Sequence, residues 1–318
     1  MRTIILTAGT LILFLRPAFA VPDLDTGKTY LEVYLKIGEA EHFEQKGDLA
    51  GALKDFQECY GKLNAMHISN PDWETALVIH RLEDCRSKIV ELQLKLTAGK
   101  DSVSAQETLD KIRATYPGPV GMSMGAYHLT YPWKTNILPD VFWIGKQGAV
   151  RSAWDDNWVK TNGGIDSPND RNGYSAAGHA AKVNPFYVAL PFNDLAHPEL
   201  ALEWVPRAWN RQPRNGKAVS GCKDRWVEMK SAAGRICFAQ WKDAGPLGDA
   251  DPEYVFGSSA PKAGDKPALS VSPAVAQYLD LNDDTNRVSW RFVDEANVSP
   301  GQWLKYDEQA LLYAAMHN

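Results

Sequence analysis

Long apolar runs are scarce in this 318-residue chain, and the most prominent one stands at its start. Residues 4–15 are mainly apolar, but a membrane-spanning helix needs about 20 such residues. Arg2 precedes this run and Ala18-Phe19-Ala20 follows it, which is the order of a signal peptide with its small-residue cleavage site. We therefore expect residues 1–20 to be a secretory signal. The mature protein would be periplasmic or extracellular, with no membrane span after signal cleavage.

An excess of positive charge is also lacking. The chain has 34 Lys and Arg against 39 Asp and Glu, and its formal net charge is −5. A nucleic-acid partner is therefore not expected, because such proteins carry a basic surface. The sequence has no phosphate-binding loop, no His-Glu-x-x-His, no Cys-x-x-Cys and no dinucleotide fingerprint. These absences give no reason to expect a cofactor.

One acidic loop raises the question of a metal. Residues 162–170 hold several carboxylates, as calcium loops do, but the order of ligands lacks the closing Glu of an EF-hand. We predict a solvated loop there and no metal site.

Cysteine is scarce as well, with four residues in the chain. In an oxidising compartment four cysteines allow three full pairings. Cys59 and Cys85 lie on successive predicted helices, and Cys222 and Cys237 flank a predicted hairpin. Pairing about a turn at residues 231–234 would put Cys237 opposite Glu228, so a bridge to Cys222 requires a bend, because the two Cα atoms must come within about 7 Å. The spacing forces neither bridge, but the compartment favours both.

The first third of the chain is predicted to be helical. Apolar residues recur at spacings of three and four over residues 30–46, 49–66 and 73–96. Residues 39–56 resemble a tetratricopeptide repeat. About three such repeats are needed for a stable array, and one clear copy is present. The helical module, residues 28–115, is therefore interpreted as a cap or spacer, and docking of a protein partner is the alternative.

A change in composition marks a domain boundary. Residues 116–137 begin with Tyr-Pro-Gly-Pro and are predicted to be a linker. From residue 138 onward short apolar segments alternate with turns, which indicates strands. Residues 304–318 are predicted to be a C-terminal tail with a possible helix.

The segment around Asp243 organises the second half. Residues 234–243 read as a strand, and Gly245-Pro246 ends it just after Asp243. Ser272-Pro273 predicts the start of a short helix, with Ser as the N-cap and Pro at the first helical position. Residues 287–293 predict another strand.

This order of elements resembles the double-psi β-barrel of the rare lipoprotein A and expansin families. Residues 184–194 are similar to the Leu-Pro-Phe-Gly segment of rare lipoprotein A. The resemblance implies an α+β chain, in which tetratricopeptide-like helical hairpins precede a six-stranded double-psi β-barrel with long insertions, residues 138–303. The sequence departs from these families at two places. Tyr187 stands where a His is expected, and Ser270 stands where a second carboxylate is expected.

The resemblance implies catalytic and binding residues. Asp243 matches an acid that takes part in lytic cleavage of peptidoglycan, and burial beside Trp241 would raise its pKa as a general acid requires. The alternative is that Asp243 only caps the turn at Gly245. Asp194 is a possible second acid. Flat aromatic rings suit sugar faces. The candidate sugar-binding residues are Trp154, Trp158, Tyr187 and Trp241.

The predicted function is binding or remodelling of peptidoglycan or another polysaccharide by an exported cell-envelope protein. A single acid without a second acid or base provides too few groups for most catalytic mechanisms. We therefore favour a protein that is not an enzyme. Two alternatives stay open. One is a scaffold whose helices dock a protein partner, and the other is a lytic glycan-cleaving enzyme that uses Asp243.

Overall fold

The computed structural model describes residues 23–71, 73–97, 111, 114–116, 131–209, 211, 213, 216–281 and 286–317. The predicted signal, residues 1–20, lies outside the described residues, as do residues 117–130 of the predicted linker. The described part is an α+β structure, with eight α-helices and a mixed seven-stranded sheet.

Three helices form the N-terminal module: α1 (Asp23–Gln45), α2 (Leu49–Ser69) and α3 (Thr75–Thr97). The α2 helix begins after Asp48, whose side chain accepts a hydrogen bond from the Gly51 N–H at 2.9 Å. Such a cap satisfies one of the backbone donors that a helix leaves unpaired at its start. Cys59 and Cys85 are fully buried in this core as free thiols, so the expected bridge between them is not formed in this structure.

The strands of the large sheet are β1 (Lys134–Ile137), β2 (Pro139–Val141), β5 (Tyr187–Leu190), β6 (Trp226–Ser231), β7 (Ile236–Ala244), β8 (Leu269–Val271) and β9 (Val288–Phe292). Their order in the sheet is β1-β9-β6-β7-β5-β8-β2. The two edge strands of this order, β1 and β2, are separated along the chain only by Leu138. The sheet therefore curls into a nearly closed, barrel-like form. The sheet begins at Lys134, within the segment predicted to be a linker, residues 116–137.

Parallel and antiparallel pairs are mixed in this sheet. β5 with β7 and β2 with β8 are parallel, and the remaining ladders are antiparallel. A separate two-stranded hairpin consists of β3 (Arg171–Asn172) and β4 (Ser175–Ala176).

The hairpin of β6 and β7 corrects the predicted register by one residue. Cys237 lies opposite Met229, not Glu228. The turn has three residues, since Ser231 pairs with Arg235, and Gly234 takes a left-handed φ of 81° that a glycine tolerates without strain. Cys237 and Cys222 are both buried free thiols, so the second expected bridge is also not formed in this structure.

Five further helices surround the sheet: α4 (Trp158–Asn162), α5 (Pro198–Trp204), α6 (Pro252–Val255), α7 (Pro273–Leu279) and α8 (Gln302–His317). The α7 helix begins as its sequence predicts, because the Ser272 hydroxyl accepts from the Val275 N–H at 3.2 Å and Pro273 occupies the first position. No helix in the described ranges has the length and apolar character that crossing a membrane requires.

The C-terminal helix joins the two halves. The helix that the sequence allowed within the predicted tail, residues 304–318, forms as α8 and packs against α1 and α3. Its Glu308 accepts a 2.6 Å hydrogen bond from the Tyr30 hydroxyl and forms a two-contact ion pair with Arg81. Tyr30 and Glu308 are buried. The helical module is therefore attached to the sheet through α8.

Candidate functional site

Asp243 lies near the end of β7, opposite Ala189 of the parallel strand β5. Its Oδ1 atom accepts hydrogen bonds from the Ala153 N–H at 2.6 Å and from the Ala244 N–H at 2.8 Å. Burial raises the pKa of Asp243 to about 6, and these two hydrogen bonds oppose the rise because they favour the carboxylate. The residue can therefore exchange a proton near neutral pH, and it also anchors the loop that contains Ala153.

Two of the predicted sugar-binding tryptophans flank Asp243. Trp241 is fully buried, and its indole N–H donates to the Asp243 carbonyl oxygen at 2.8 Å. Trp154 is half-buried and meets Trp241 edge to face, with 5.5 Å between the ring centroids. The indole N–H of Trp154 is buried and has no hydrogen-bond partner in the described structure. Trp241 is a core residue, whereas Trp154 keeps part of its surface in contact with solvent.

Tyr187 and Trp158 lie together in a buried cluster. Their ring centroids are 5.6 Å apart, and both rings contact Phe142. The Tyr187 hydroxyl donates to Asp166 at 2.8 Å and accepts from the Ile144 N–H at 3.1 Å. Neither ring offers a face to solvent in this arrangement.

The acidic loop, residues 162–170, was predicted to be solvated, but one of its carboxylates, Asp166, is buried. Its side chain is almost completely buried and forms an ion pair with Arg171, in addition to its bond with Tyr187. Burial raises the pKa of Asp166, and the positive charge of Arg171 opposes that rise. The loop is therefore fixed to the sheet by a buried polar contact. No local sequence pattern predicts this contact.

Asp194 is buried in a different environment from Asp243. Its carboxylate accepts from the Ser220 hydroxyl at 2.7 Å and from the backbone N–H groups of Gly221 at 2.7 Å and Cys222 at 3.3 Å. These three bonds use the lone pairs that would otherwise face a substrate. Asp194 thus organises the loop at residues 220–222 and shares no hydrogen-bond partner with Asp243.

A carboxylate that the sequence reading missed lies in the same row of the sheet as Asp243. The row runs Asp140, Ser270, Ala189, Asp243 across four adjacent strands. Residues directly opposite each other point to the same face. The Ser270 hydroxyl donates to Asp140, so an acid stands next to the position where the resemblance implied one. Counted along the curved sheet, three strand spacings of about 4.8 Å separate the two backbones by roughly 14 Å.

An open depression of about 650 Å³ lies on the surface near this row. The loop that Asp243 anchors through Ala153 continues into its wall, where residues 156 and 157 contribute polar side chains. Two lysines add positive charge. The lining residues are Val150, Asp156, Asn157, Val159, Lys160, Gly163, Gly164 and Lys182. Asp243 does not itself line the depression.

Among the described residues no group of three or more His, Cys, Asp or Glu side chains could hold a metal ion. No family model, no curated protein and no solved structure matches this chain.

Proposed function

We propose that this chain is an exported protein that binds peptidoglycan or a similar polysaccharide of the cell envelope and does not cleave it. The observation that carries this proposal is the 2.6 Å hydrogen bond from the Ala153 N–H to Asp243. It connects the strand-end carboxylate to the loop that forms one wall of the 650 Å³ depression. Asparagine, aspartate and lysine side chains in that wall are suitable partners for sugar hydroxyls and for acidic groups on a glycan.

The barrel-like sheet supports the double-psi interpretation of the fold. If β1, Leu138 and β2 are counted as one bent strand, the closed sheet has six strands. Two parallel pairs, β5 with β7 and β2 with β8, interrupt an otherwise antiparallel order. The α7 helix follows β8 directly in the chain, as the resemblance implies.

Binding without cleavage is favoured by the positions of the acids. Glycosidases place their two carboxyl groups about 5 to 10 Å apart. Asp140 lies three strands away from Asp243 along the sheet, and its carboxylate accepts a hydrogen bond from the Ser270 hydroxyl. The Asp194 carboxylate already accepts three hydrogen bonds, from the loop at residues 220–222. A general acid at Asp243 would therefore lack the second carboxylate that most glycan-cleaving mechanisms use.

The scaffold alternative has less support, because α8 already covers one side of α1 and α3. The buried Tyr30–Glu308–Arg81 contact fixes that helix in place. A partner using the same side of the helices would have to displace α8 and leave these polar groups unpaired.

Co-sedimentation tests the proposal. Purified mature protein is incubated with peptidoglycan sacculi or with cellulose, and bound protein and released muropeptides are measured. We expect binding without release. The double variant Asn157→Ala/Lys160→Ala, in the wall of the depression, should bind roughly tenfold more weakly through the loss of two polar contacts.

The matched control is Lys230→Ala, which removes an exposed lysine of β6 that does not line the depression. It should bind as the unaltered protein does. Protein that stays in the supernatant with every polysaccharide contradicts binding, and release of muropeptides contradicts the claim that no bond is cut.

A further inference from the structure

A second cavity lies beside the aromatic cluster that includes Trp241. Its volume is about 80 Å³, and most of its wall is aromatic. Phe256 and Phe292 of this wall contact Trp241, with centroid distances of 6.2 and 5.8 Å. The complete lining is Tyr131, Pro132, Lys134, Trp204, Pro206, Val255, Phe256, Trp290 and Phe292.

Lys134 is the only charged side chain in that lining. It lies on β1 opposite Trp290 and is 8% exposed. An ammonium has three N–H donors, and Lys134 donates to the carbonyl oxygen of Gly257. No Asp or Glu in the described part of the chain forms an ion pair with it. Burial without a counter-charge lowers the pKa of Lys134.

Two other polar groups of the wall are already engaged. The Trp290 indole N–H donates to the Tyr254 hydroxyl at 2.8 Å, and the Tyr131 hydroxyl donates to Asp294 at 3.4 Å. A multiply charged anion such as sulfate would therefore find one cationic donor and otherwise aromatic surface. An ion with a single charge and an apolar body matches these walls better.

We propose that this cavity binds a small organic carboxylate, with its charged end on the Lys134 ammonium and its hydrocarbon end against the aromatic rings. The carboxylate supplies the counter-charge that a buried ammonium needs and that the protein does not provide. The cavity is about half the roughly 150 Å³ that accommodates benzene in another protein. The cavity is also partly open to solvent, so the ligand class is short aliphatic acids from acetate to butyrate, the longer of which extend through the opening.

Titration of the unaltered protein with butyrate, 1-butanol and butylammonium tests this proposal. The readouts are isothermal titration calorimetry and the total tryptophan fluorescence, to which Trp204 and Trp290 of the wall contribute. These three probes have similar size and differ in charge. We expect butyrate to bind saturably and 1-butanol to bind roughly tenfold or more weakly, as the loss of one charge-assisted hydrogen bond implies. Butylammonium should not bind.

Lys134→Met keeps the length of the side chain and removes its charge, so it should weaken butyrate binding by the same roughly tenfold or greater factor. The matched control is Lys146→Met. Lys146 also donates to a backbone carbonyl, that of Val141 at 2.9 Å, and lies over an aromatic ring, that of Trp143, but it is outside the cavity. This variant should bind butyrate normally.

Three results would overturn the proposal. The first is no saturable butyrate signal, the second is equal affinity for butyrate and 1-butanol, and the third is unchanged butyrate affinity in folded Lys134→Met. Because the three probes are compared on the unaltered protein, the comparison stands even where the variant does not fold. Failure of this binding leaves the polysaccharide proposal unaffected, since the two cavities have no lining residue in common.

Discussion

Gln240 on β7 and Asp307 on α8 connect the sheet to the C-terminal helix through a hydrogen bond from Gln240 Nε2 to Asp307 Oδ1, at 3.1 Å. The remaining oxygens of the same two side chains, Gln240 Oε1 and Asp307 Oδ2, are both buried and have no partner among the described residues. Two buried acceptors without a donor are costly. A proton on Asp307 Oδ2 would convert one of these two acceptors into a donor and so lower that cost.

The charged surroundings of Asp307 are mixed. Burial raises the pKa of Asp307 to about 6, and the positive charge of Lys242 opposes this rise. The carboxylate of Asp224 acts in the direction of burial and favours the neutral acid. Besides burial, the negative charge of Asp307 in turn raises the pKa of Glu74 and that of Glu295. The pKa of Glu295 is itself raised, to about 7, mainly by burial. We therefore expect Asp307 to carry a proton at mildly acidic pH.

The first prediction follows from this pKa. The folded protein binds the Asp307 proton more tightly than the unfolded chain, so this group's stabilisation is lost as pH rises from about 4 to about 6. Its contribution to the free energy of unfolding should fall by up to about 3 kcal/mol. Asp307→Asn, whose amide can donate to Gln240 Oε1 at any pH, should remove this dependence and be the more stable form at neutral pH.

Urea unfolding of both forms between about pH 4 and pH 8 measures the effect. The exposed Asp265→Asn serves as the control for a simple change in charge. A difference in the free energy of unfolding between Asp307→Asn and the unaltered protein that stays constant over this range would show that Asp307 is ionised throughout.

The second prediction concerns Asp243. Its Oδ1 atom holds the loop at Ala153, and Asn keeps an acceptor at that place. Asp243→Asn should therefore retain polysaccharide binding, while Asp243→Ala should weaken it because the loop loses its anchor. Co-sedimentation with sacculi compares the two variants. Equal loss in both would mean that the negative charge of Asp243 is what the ligand requires. In the unaltered protein the Asp243 carboxyl should titrate near pH 6 by NMR.

The third prediction tests the role of Asp194. Replacing it with Ala leaves the Ser220 hydroxyl and the backbone N–H groups of Gly221 and Cys222 with fewer partners in a buried loop. We expect Asp194→Ala to lower the free energy of unfolding by about 2 to 4 kcal/mol. Asp265→Ala, at an exposed position, should change it by less than about 0.5 kcal/mol. A stable Asp194→Ala protein with altered glycan binding would instead assign Asp194 to the ligand.

Local patterns predicted the local structure well. Apolar periodicity located α1, α2 and α3, and the Ser272-Pro273 pair located the start of α7. The turn between β6 and β7 is one residue shorter than predicted, three residues in place of four, because Gly234 adopts a left-handed conformation that the sequence allows but does not require.

The contacts that define the site were harder to predict, because they join residues far apart in the chain. Asp194 and Ser220 are 26 residues apart, and Asp140 and Ser270 are 130 apart. The order of the strands decides which of these residues meet, and strand order is not encoded in any short motif. Asp140 lies in the predicted barrel but was not recognised, since only its neighbours on β8 and β5 give it a relation to Asp243.

The fourth prediction concerns the thiols. All four cysteines are buried and free in the structure, and burial raises the pKa of Cys59 to about 11 and that of Cys85 to about 12. Because the thiolate is the reactive form, Ellman's reagent should react slowly with the folded protein. Four thiols should react per chain in denaturant without reductant. A count of two or none would show that the bridges expected of an exported protein do form.

The fifth prediction tests the attachment of the helical module. Glu308 accepts from Tyr30 and pairs with Arg81, and this carboxylate is buried. Arg81→Met leaves the buried Glu308 carboxylate without a cation and should lower the free energy of unfolding by about 3 to 5 kcal/mol. Glu308→Met should lower it by less, because Arg81 keeps its ion pair with Asp84 at 3.3 Å. The double variant should lose much less than the sum of the two, because no unpaired charge is left behind.

Lys95→Ala is the matched control, since Lys95 pairs with Glu44 at an exposed site and such pairs contribute less than about 1 kcal/mol. Urea unfolding of the four variants gives the coupling free energy directly. Additive losses would mean that Glu308 and Arg81 contribute independently and that their ion pair does not hold α8 in place. Strong coupling would mean that the ion pair holds α8 against α1 and α3. A partner that binds this side of the helices would then have to break the ion pair.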